Sequence, residues 1–436
     1  MKSRFFKLFY KIHIYAGFFV AIHLFVFITT GAVLLFKDEI EGGESHAEHH
    51  EAIQLPALDA HLQKILARYP TDRPLAFNIE ESDPDVAQIR MGLNGSKMFR
   101  ESRRVYFNIH TGEEVAAPQK TSSLMDFILR LHRELLMGSN GKIYVGFVGL
   151  LYAFVLISGF FIYGNFAKKT QFGEVRQNTS RMFNSDLHRF LGMSIFAWGL
   201  MIALTGLLLG VSSTLIKVFQ YSELQKLTAQ YPEAPEPPYA SLDLVLAEAQ
   251  KALPGTSFDY LAFPNSQFSP PGHFLVLMHG NTAWTERLVE LVVVDAVTGK
   301  LTEVRSLPWY LKAAMLSEPL HFGNYGGLFL KIVWLILSVI SLFLPISGLY
   351  IWWDRRSKKG AASTATAAKS SLTIGKGRLF KRPYLMPTII ALTSVTAVVG
   401  SFLTTGLVNT LLALFLALPA YFVLRLVVRW LRKGSV

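Results

Sequence analysis

The chain has 436 residues, 51% of them hydrophobic and 17% charged, with 43 basic against 31 acidic side chains and a formal net charge of +12. That composition fits a polytopic membrane protein with sizeable soluble parts. The absence of cysteine excludes disulfides, thiolate metal sites, iron–sulfur clusters and covalent c-type haem attachment.

The first apolar run, 14–36, has the length of about 20 residues that a bilayer crossing needs. It is too long, and too poor in a cleavage site, for a removed signal peptide, and Lys37-Asp38-Glu39 ends it. A linker over 42–54 carries His46, His49 and His50 among acidic residues, a pattern that suits a flexible acidic segment better than a metal site. A helix from Leu58-Asp59 to Tyr69-Pro70 follows, then strands at 75–79, 86–91 and 105–109 and a turn, Asn108-Ile109-His110-Thr111-Gly112. The second span is predicted at 143–166 and the third at 190–211. After a linker at 231–238 the external pattern repeats. A helix runs from Leu242-Asp243 to Leu253-Pro254, strands follow at 258–263, 274–278 and 288–294, and the turn is Asp295-Ala296-Val297-Thr298-Gly299. The fourth span is 328–353, and an Ala/Ser/Thr/Lys linker covers 360–371. The stretch 384–430 is too long for one crossing and reads as two spans turning near 404–410, with Gly406 and Asn409 as breakers. Six spans are expected.

Basic residues set the orientation. Lys2, Arg4, Lys7 and Lys11 precede the first span, and Lys168, Lys169, Arg176 and Arg181 lie between the second and third. A further basic group from Arg355 to Arg382 follows the fourth, while the long segments on the other side are acidic, 11 basic against 16 acidic over 37–130 and 7 against 10 over 217–312. Both termini are therefore expected in the cytoplasm and both large loops outside. Because the cations cluster at membrane edges, a nucleic-acid partner has no support.

The two halves keep four histidines in register. His13 precedes Gly17 and Thr30-Gly31, and His188 precedes Gly192 and Thr205-Gly206, with 17 residues from His to Thr both times. His132 precedes Ser158-Gly159, and His321 precedes Ser347-Gly348, by 26 residues both times. Each half reads as span, small α+β external domain, span, starting from the same side. That is a parallel repeat with a pseudo-twofold axis along the membrane normal. Such an axis brings equivalent residues to equal depth, so His13 faces His188 near the cytoplasm and His132 faces His321 near the outside. Two facing neutral imidazoles are what a b-type haem requires. The 17 residues from His13 to the level of Thr30 span roughly 25 Å, so two haems at those depths form a path for electrons across the membrane. Gly17 and Gly192, with Gly138 and Gly323 outside, are the candidates for admitting a porphyrin against a helix. Taken singly, each is equally well a packing glycine or an interfacial histidine. The register argues for function.

His23 stands in the middle of the first span, where the second half has Trp198. A hydrogen bond within the bundle, a place in the haem wall, or an alternative ligand role are all open to it. His61, His110, His273 and His279 lie in soluble elements without metal spacing. Trp352, Trp353 and Tyr163 stand at span ends as interfacial anchors. No phosphate loop, dinucleotide fingerprint or nucleophile motif stands out, and the cytoplasmic loops are too short for a nicotinamide or flavin domain. Electrons must then come from a membrane quinol or a separate donor.

The elements His13-Ile14-Tyr15-Ala16-Gly17…Thr30-Gly31, Leu131-His132-Arg133, His188-Arg189-Phe190-Leu191-Gly192…Thr205-Gly206 and Leu320-His321-Phe322-Gly323 resemble the PepSY-associated transmembrane family. The turns ending in Thr111-Gly112 and Thr298-Gly299 resemble the ends of PepSY domains. The resemblance covers residues 4–355. Similar proteins include bacterial inner-membrane proteins linked to iron uptake, among them di-haem reductases of periplasmic ferric siderophores. The resemblance implies two haems b, one on His13 and His188 and one on His132 and His321, with electron delivery to a ferric siderophore or other ferric chelate outside. The last two spans are additions to that core, with no function assigned.

The expected architecture is an integral membrane α-helical bundle of six spans with two small α+β external PepSY-like domains and an internal parallel duplication. Its parts are a span at 1–36, an external domain at 37–131, a span at 132–167, a cytoplasmic loop at 168–187 and a span at 188–211. A second external domain at 212–320, a span at 321–353, a basic cytoplasmic linker at 354–383 and two additional spans at 384–430 complete it. The competing readings are a membrane-anchored PepSY module that binds or restrains a peptidase, which has no need of the histidine register, and a transporter. A transporter predicts charged residues within the spans, and few are seen.

Overall fold

The computed structural model describes residues 3–41, 58–80, 83–117, 123–167, 170–231, 238–282, 285–357, 371–375, 378–382 and 384–434. His46, His49 and His50 lie outside the described residues. In chain order, α1 (Ser3–Leu34) and α2 (Lys37–Glu41) precede α3 (Leu58–Arg68), β1 (Arg73–Glu80), β2 (Asp83–Gly92), β3 (Ser102–Asn108) and β4 (Glu114–Val115). Next come α4 (Ser123–Glu134), α5 (Gly138–Ala167), β5 (Glu174–Arg176), α6 (Ser180–Ser194), α7 (Phe196–Phe219) and α8 (Gln225–Thr228). Then follow α9 (Leu242–Ala252), β6 (Thr256–Ala262), β7 (His273–Gly280), β8 (Val289–Asp295), β9 (Leu301–Ser306), α10 (Trp309–Phe322) and α11 (Gly327–Ser357). The chain ends with β10 (Ser371–Thr373), α12 (Arg378–Lys381), α13 (Leu385–Leu403), α14 (Gly406–Leu414) and α15 (Ala417–Gly434).

Six helical segments are long and apolar enough to cross a bilayer: Arg4–Leu34, Gly138–Phe166, Phe196–Thr228, Gly327–Ser357, Leu385–Leu403 and Gly406–Arg432. The protein is an integral helical membrane protein. Its residues divide into two compact units, Met1–Lys37 with Ser122–Val211 and Ser317–Val436, and Asp38–Thr121 with Ser212–Leu316.

In the first unit α1 packs on α5 and α11, and α6 packs on α11. The core is aromatic and aliphatic, with Trp198, Trp334, Leu337, Ile340, Phe190 and Ile390 buried together. The third span begins later than the sequence suggested, at Phe196 rather than 190, whereas the second and fourth begin at Gly138 and Gly327, ahead of the predicted 143 and 328. His132, His188 and His321 stand on the shorter helices α4, α6 and α10, and a break separates each from the span that follows. Between α4 and α5 the backbone is left-handed at Leu135, Leu136 and Gly138, with φ of 47°, 62° and 62°, a conformation that ends a helix. Gly323, at φ 65°, opens the corresponding break after α10. The turn within 384–430 falls at Thr404–Thr405, and Gly406 is left-handed there. Asn409 is not a breaker. It lies inside α14, and its amide donates to the carbonyls of Tyr325 at 3.0 Å and Thr404 at 3.2 Å, holding the turn closed.

The second unit is built on one antiparallel sheet of eight strands in the order β4-β3-β2-β1-β6-β7-β8-β9. The two α+β patterns seen in the sequence therefore form one body. They join where β1 pairs with β6, with Ala76 opposite Ala262 and Phe77 opposite Leu261. Edge strands β4 and β9 went unpredicted because they are short or largely exposed and lack an apolar alternation. Helices α3 and α9 lay Leu58, Leu62, Ile65, Leu242, Val245 and Ala249 against Phe77, Phe107 and Phe274. Each helix start is capped by the other helix: Leu242 N–H donates to Asp59 at 2.7 Å, and Leu58 N–H donates to Asp243 at 3.2 Å. The turns after β3 and β8 also match. Asn108 accepts from the N–H groups of His110 and Thr111, and Asp295 accepts from those of Val297 and Thr298.

Candidate functional site

The first unit brings the four matched histidines together as two pairs. The rings of His13 and His188 have centroids 6.2 Å apart and are nearly perpendicular, at 87°. Those of His132 and His321 are also 6.2 Å apart, at 61°. An imidazole nitrogen sits about 2.0–2.1 Å from a metal it ligates and the ring centroid roughly 1.1 Å further back, so two rings on opposite sides of one metal have centroids about 6.2 Å apart. Both pairs have the separation that a metal held between them requires.

The ring nitrogens are sorted the same way in all four. His132 Nδ1 is 3.0 Å from the hydroxyl of Thr30, and His321 Nδ1 is 3.0 Å from that of Thr205. His188 Nδ1 is 2.9 Å from the hydroxyl of Ser347. His13 Nδ1 is 2.9 Å from the Val155 carbonyl and 3.3 Å from the hydroxyl of Ser158. A carbonyl only accepts, so His13 carries its proton on Nδ1. The hydroxyls reach the same result by another route. Each donates its own proton back along its helix, Thr30 to Val26 at 2.7 Å, Thr205 to Met201 at 2.8 Å, Ser347 to Phe343 at 2.8 Å and Ser158 to Val155 at 2.9 Å. The hydroxyl oxygen is then an acceptor for Nδ1–H, and the lone pair of each ring stands on Nε2.

The Thr-Gly and Ser-Gly pairs that mark the register in the sequence are thus the seats of the histidine rings. Each pair seats the other matched histidine of its own half rather than the histidine it follows. The glycine is part of the seat: a methyl on Gly31 would lie 3.0 Å from Cε1 of His132, and one on Gly159 would lie 3.0 Å from Cε1 of His13. For Gly206 and His321 the distance is 3.2 Å, and for Gly348 and His188 it is 3.5 Å. These eight residues were legible as spacing, but spacing alone carried no sign of which histidine they touch.

The four glycines proposed from sequence as porphyrin neighbours divide differently. Gly17 and Gly192 face Val155 and Leu344 at ordinary contact distance, so protein packing does not demand glycine at either. Gly138 and Gly323 answer a backbone need, each sitting at positive φ in the break before a span. His23 stands apart from both pairs as a ligand candidate. Its Nδ1 donates to the Phe19 carbonyl at 3.0 Å, which leaves Nε2 to accept from the Tyr144 hydroxyl at 2.8 Å. With both nitrogens engaged it does not present a lone pair to a metal. Its counterpart Trp198 is buried against Trp334.

The remaining histidines have structural partners. His61 Nδ1 donates to the Ile109 carbonyl, His110 pairs with Asp85 at 3.0 Å, and His273 Nδ1 lies 2.8 Å from the Pro271 carbonyl. His279 Nδ1 lies 3.2 Å from the Gly280 carbonyl. Among the described residues no group of three His, Asp or Glu side chains is gathered for a metal ion.

Near the inner pair, two residues before His188, the buried Asp186 accepts from Arg176 Nε at 2.8 Å and Nη2 at 2.9 Å, and Arg189 also bonds to it. Burial pushes the Asp186 carboxyl up, but the hydrogen bonds of Arg176 and the charges of both arginines outweigh it and hold the group below its ordinary value of 3.8.

The PepSY-associated TM region family matches residues 10–355, and the chain belongs to that family. It is similar to the uncharacterized protein PA4219 of Pseudomonas aeruginosa, at 25% identity over 254 residues that cover 53% of this chain. The match spans 64% of the length of that curated relative.

Proposed function

We propose that the protein is an oxidoreductase of the bacterial inner membrane that holds two haems b and reduces a ferric substrate, a ferric siderophore or similar chelate, on the periplasmic side. The observation that carries this reading is the equal 6.2 Å separation of two histidine pairs whose four Nδ1 atoms all have acceptors. His13 and His188 would hold the inner haem, and His132 and His321 the outer one. When bound, a bis-imidazole haem takes up and gives up one electron at a time without changing its ligands. The seats keep each imidazole neutral and aimed, and Gly31, Gly159, Gly206 and Gly348 let the rings approach the neighbouring helix.

The direction rests on topology. The cation bias supports cytoplasmic ends for the chain and a periplasmic side for the sheet-forming segments. An internal parallel duplication accounts for the matched seats, the reciprocal caps of Asp59 and Asp243 and the matched turns after β3 and β8. Reduction suits iron release because hard oxygen ligands hold ferrous iron less tightly than ferric. The electrons would come from a membrane quinol or a separate cytoplasmic-side donor. A purely anchoring role for the spans, with the sheet as a binding module, gives no reason for four histidines to be seated alike.

The test is an absorption spectrum of the purified protein, oxidised and then dithionite-reduced, with haem quantified per chain. Two haems per chain, each lost in the alanine variants of its own pair, is the expected outcome. A protein without a Soret band, or with bands indifferent to His132→Ala and His321→Ala, overturns the reading. Reduction of a ferric chelate outside sealed vesicles, driven from inside, then tests the reaction.

A further inference from the structure

A cavity of about 210 Å³ in the first unit is lined by Arg176, Arg181, Met182, Ser185, Ile351 and Arg355. It belongs to the same helix faces as the inner histidine pair. On α6, Arg181, Ser185 and His188 are spaced i, i+4, i+7, and on α11 Ser347, Ile351 and Arg355 are spaced i, i+4, i+8, so each set lies along one face. The two faces meet where the Ser347 hydroxyl holds His188 Nδ1 at 2.9 Å. Arg355 also reaches the third helix of the site: its guanidinium lies over the ring of Tyr10 at 5.7 Å, and Tyr10 is three residues before His13. The cavity thus lies along the helix faces that carry His188 and its partner Ser347, with Ser185 and Arg181 roughly 4.5 and 10 Å along the helix from His188.

Three arginines line this cavity. Arg176 is fixed by Asp186, and Arg181 is 3.8 Å from Asp354 while half of its side chain stays accessible. Arg355 forms no ion pair with a described residue. Guanidinium groups present planar paired donors that match an oxyanion. A b-type haem carries two propionate carboxylates on one edge, and carboxylates are costly inside hydrocarbon, so an inner haem needs cations at the membrane edge. From this geometry we infer that the cavity is an oxyanion site that receives the propionates of the haem held by His13 and His188. The inference rests on the proposed haem ligation. A phospholipid phosphate at the same membrane edge shares the chemistry, and the experiment separates the two.

Full-length protein and its Arg181→Gln, Arg355→Gln and double variants are stripped of haem and titrated with haem and with haem dimethyl ester. The outer haem on His132 and His321 serves as the internal check that each variant is folded. The expected result is a loss of affinity of about tenfold or more for one haem of the two in the double variant, the scale of a charge-assisted hydrogen bond. The midpoint potential of that haem should fall, because removing positive charge favours its oxidised state. Haem dimethyl ester should bind wild type and variants alike at that site, and Arg181→Lys, which keeps the charge but not the paired donors, should recover only part of the affinity. Two haems of unchanged affinity and potential in the double variant overturn the inference. So does loss of bound phospholipid phosphorus with haem unaffected, which assigns the cavity to a lipid headgroup. A wild-type chain that takes up no haem fails earlier, at the ligation itself, and removes this proposal with it.

Discussion

The hydroxyl of Thr30 lies 3.0 Å from Nδ1 of His132, although 102 residues separate them in the chain. Thr205 and His321 repeat the contact at the same 3.0 Å across 116 residues. In both cases the threonine spends its own proton on its helix and offers the oxygen to the ring.

Removing that oxygen while keeping the shape tests its role. On the proposed ligation, Thr30→Val and Thr205→Val should each weaken binding of the outer haem by about 10- to 100-fold, the usual effect of losing a partner behind a ligating histidine. Thr30→Ser and Thr205→Ser should restore it. Haem titration reads the affinity, and the inner haem should not respond to either substitution. Equal affinity in the valine and serine variants would show that the hydroxyl does not orient the ring.

The glycines of the seats predict a graded series. Gly31→Ala and Gly159→Ala put a methyl 3.0 Å from a histidine carbon, Gly206→Ala puts it at 3.2 Å and Gly348→Ala at 3.5 Å. Haem retention through purification should fall most in the first two variants and least in the last. Gly17→Ala, whose methyl would meet Val155 at 3.9 Å, separates the two explanations for that position. Full haem content there means that only helix packing occurs at Gly17, and loss of the inner haem means that a porphyrin lies against it.

His23 should be dispensable for haem. With Nδ1 on the Phe19 carbonyl and Nε2 on the Tyr144 hydroxyl, neither His23→Phe nor Tyr144→Phe should change the number of haems per chain. A variant that drops from two haems to one would return His23 to the set of ligands.

Asp186 should tie stability to pH. Its folded-state pKa is below the unfolded one, so its contribution is fully present above about pH 4 and disappears as pH falls through the depressed folded value. Asp186→Asn leaves Arg176 and Arg189 without their buried carboxylate and should cost about 1.5–3 kcal/mol at neutral pH, because both arginines keep some access to solvent. Thermal unfolding in detergent should show that deficit at pH 7, and the gap to wild type should narrow below pH 4.

Much of the membrane part was legible because its signals are local. A span needs about 20 apolar residues in a row, and all six were countable from the sequence. The helix starts were less legible. His132, His188 and His321 precede apolar runs, so they read as span ends, but left-handed residues such as Leu135 and Leu136 break the chain after His132. Leucine carries no local warning of that conformation. Strands β4 and β9 were missed for the opposite reason, since an edge strand needs no buried face and shows no alternation.

By itself the sequence determined the number of spans, the register of four histidines and the Thr-Gly and Ser-Gly pairs that follow them, because repetition at fixed intervals survives without any knowledge of contacts. Only the tertiary structure decided what those pairs are for. A hydroxyl 17 residues beyond His13 lies about 25 Å along the helix from it, so Thr30 seats His132 while His13 rests on Val155 and Ser158. It also decided that His23 turns to Tyr144, and that the two α+β patterns share one sheet through β1 and β6. The reason is the same in each instance: intervals along a chain fix depth and face, and which residues meet across helices or strands is fixed by packing alone.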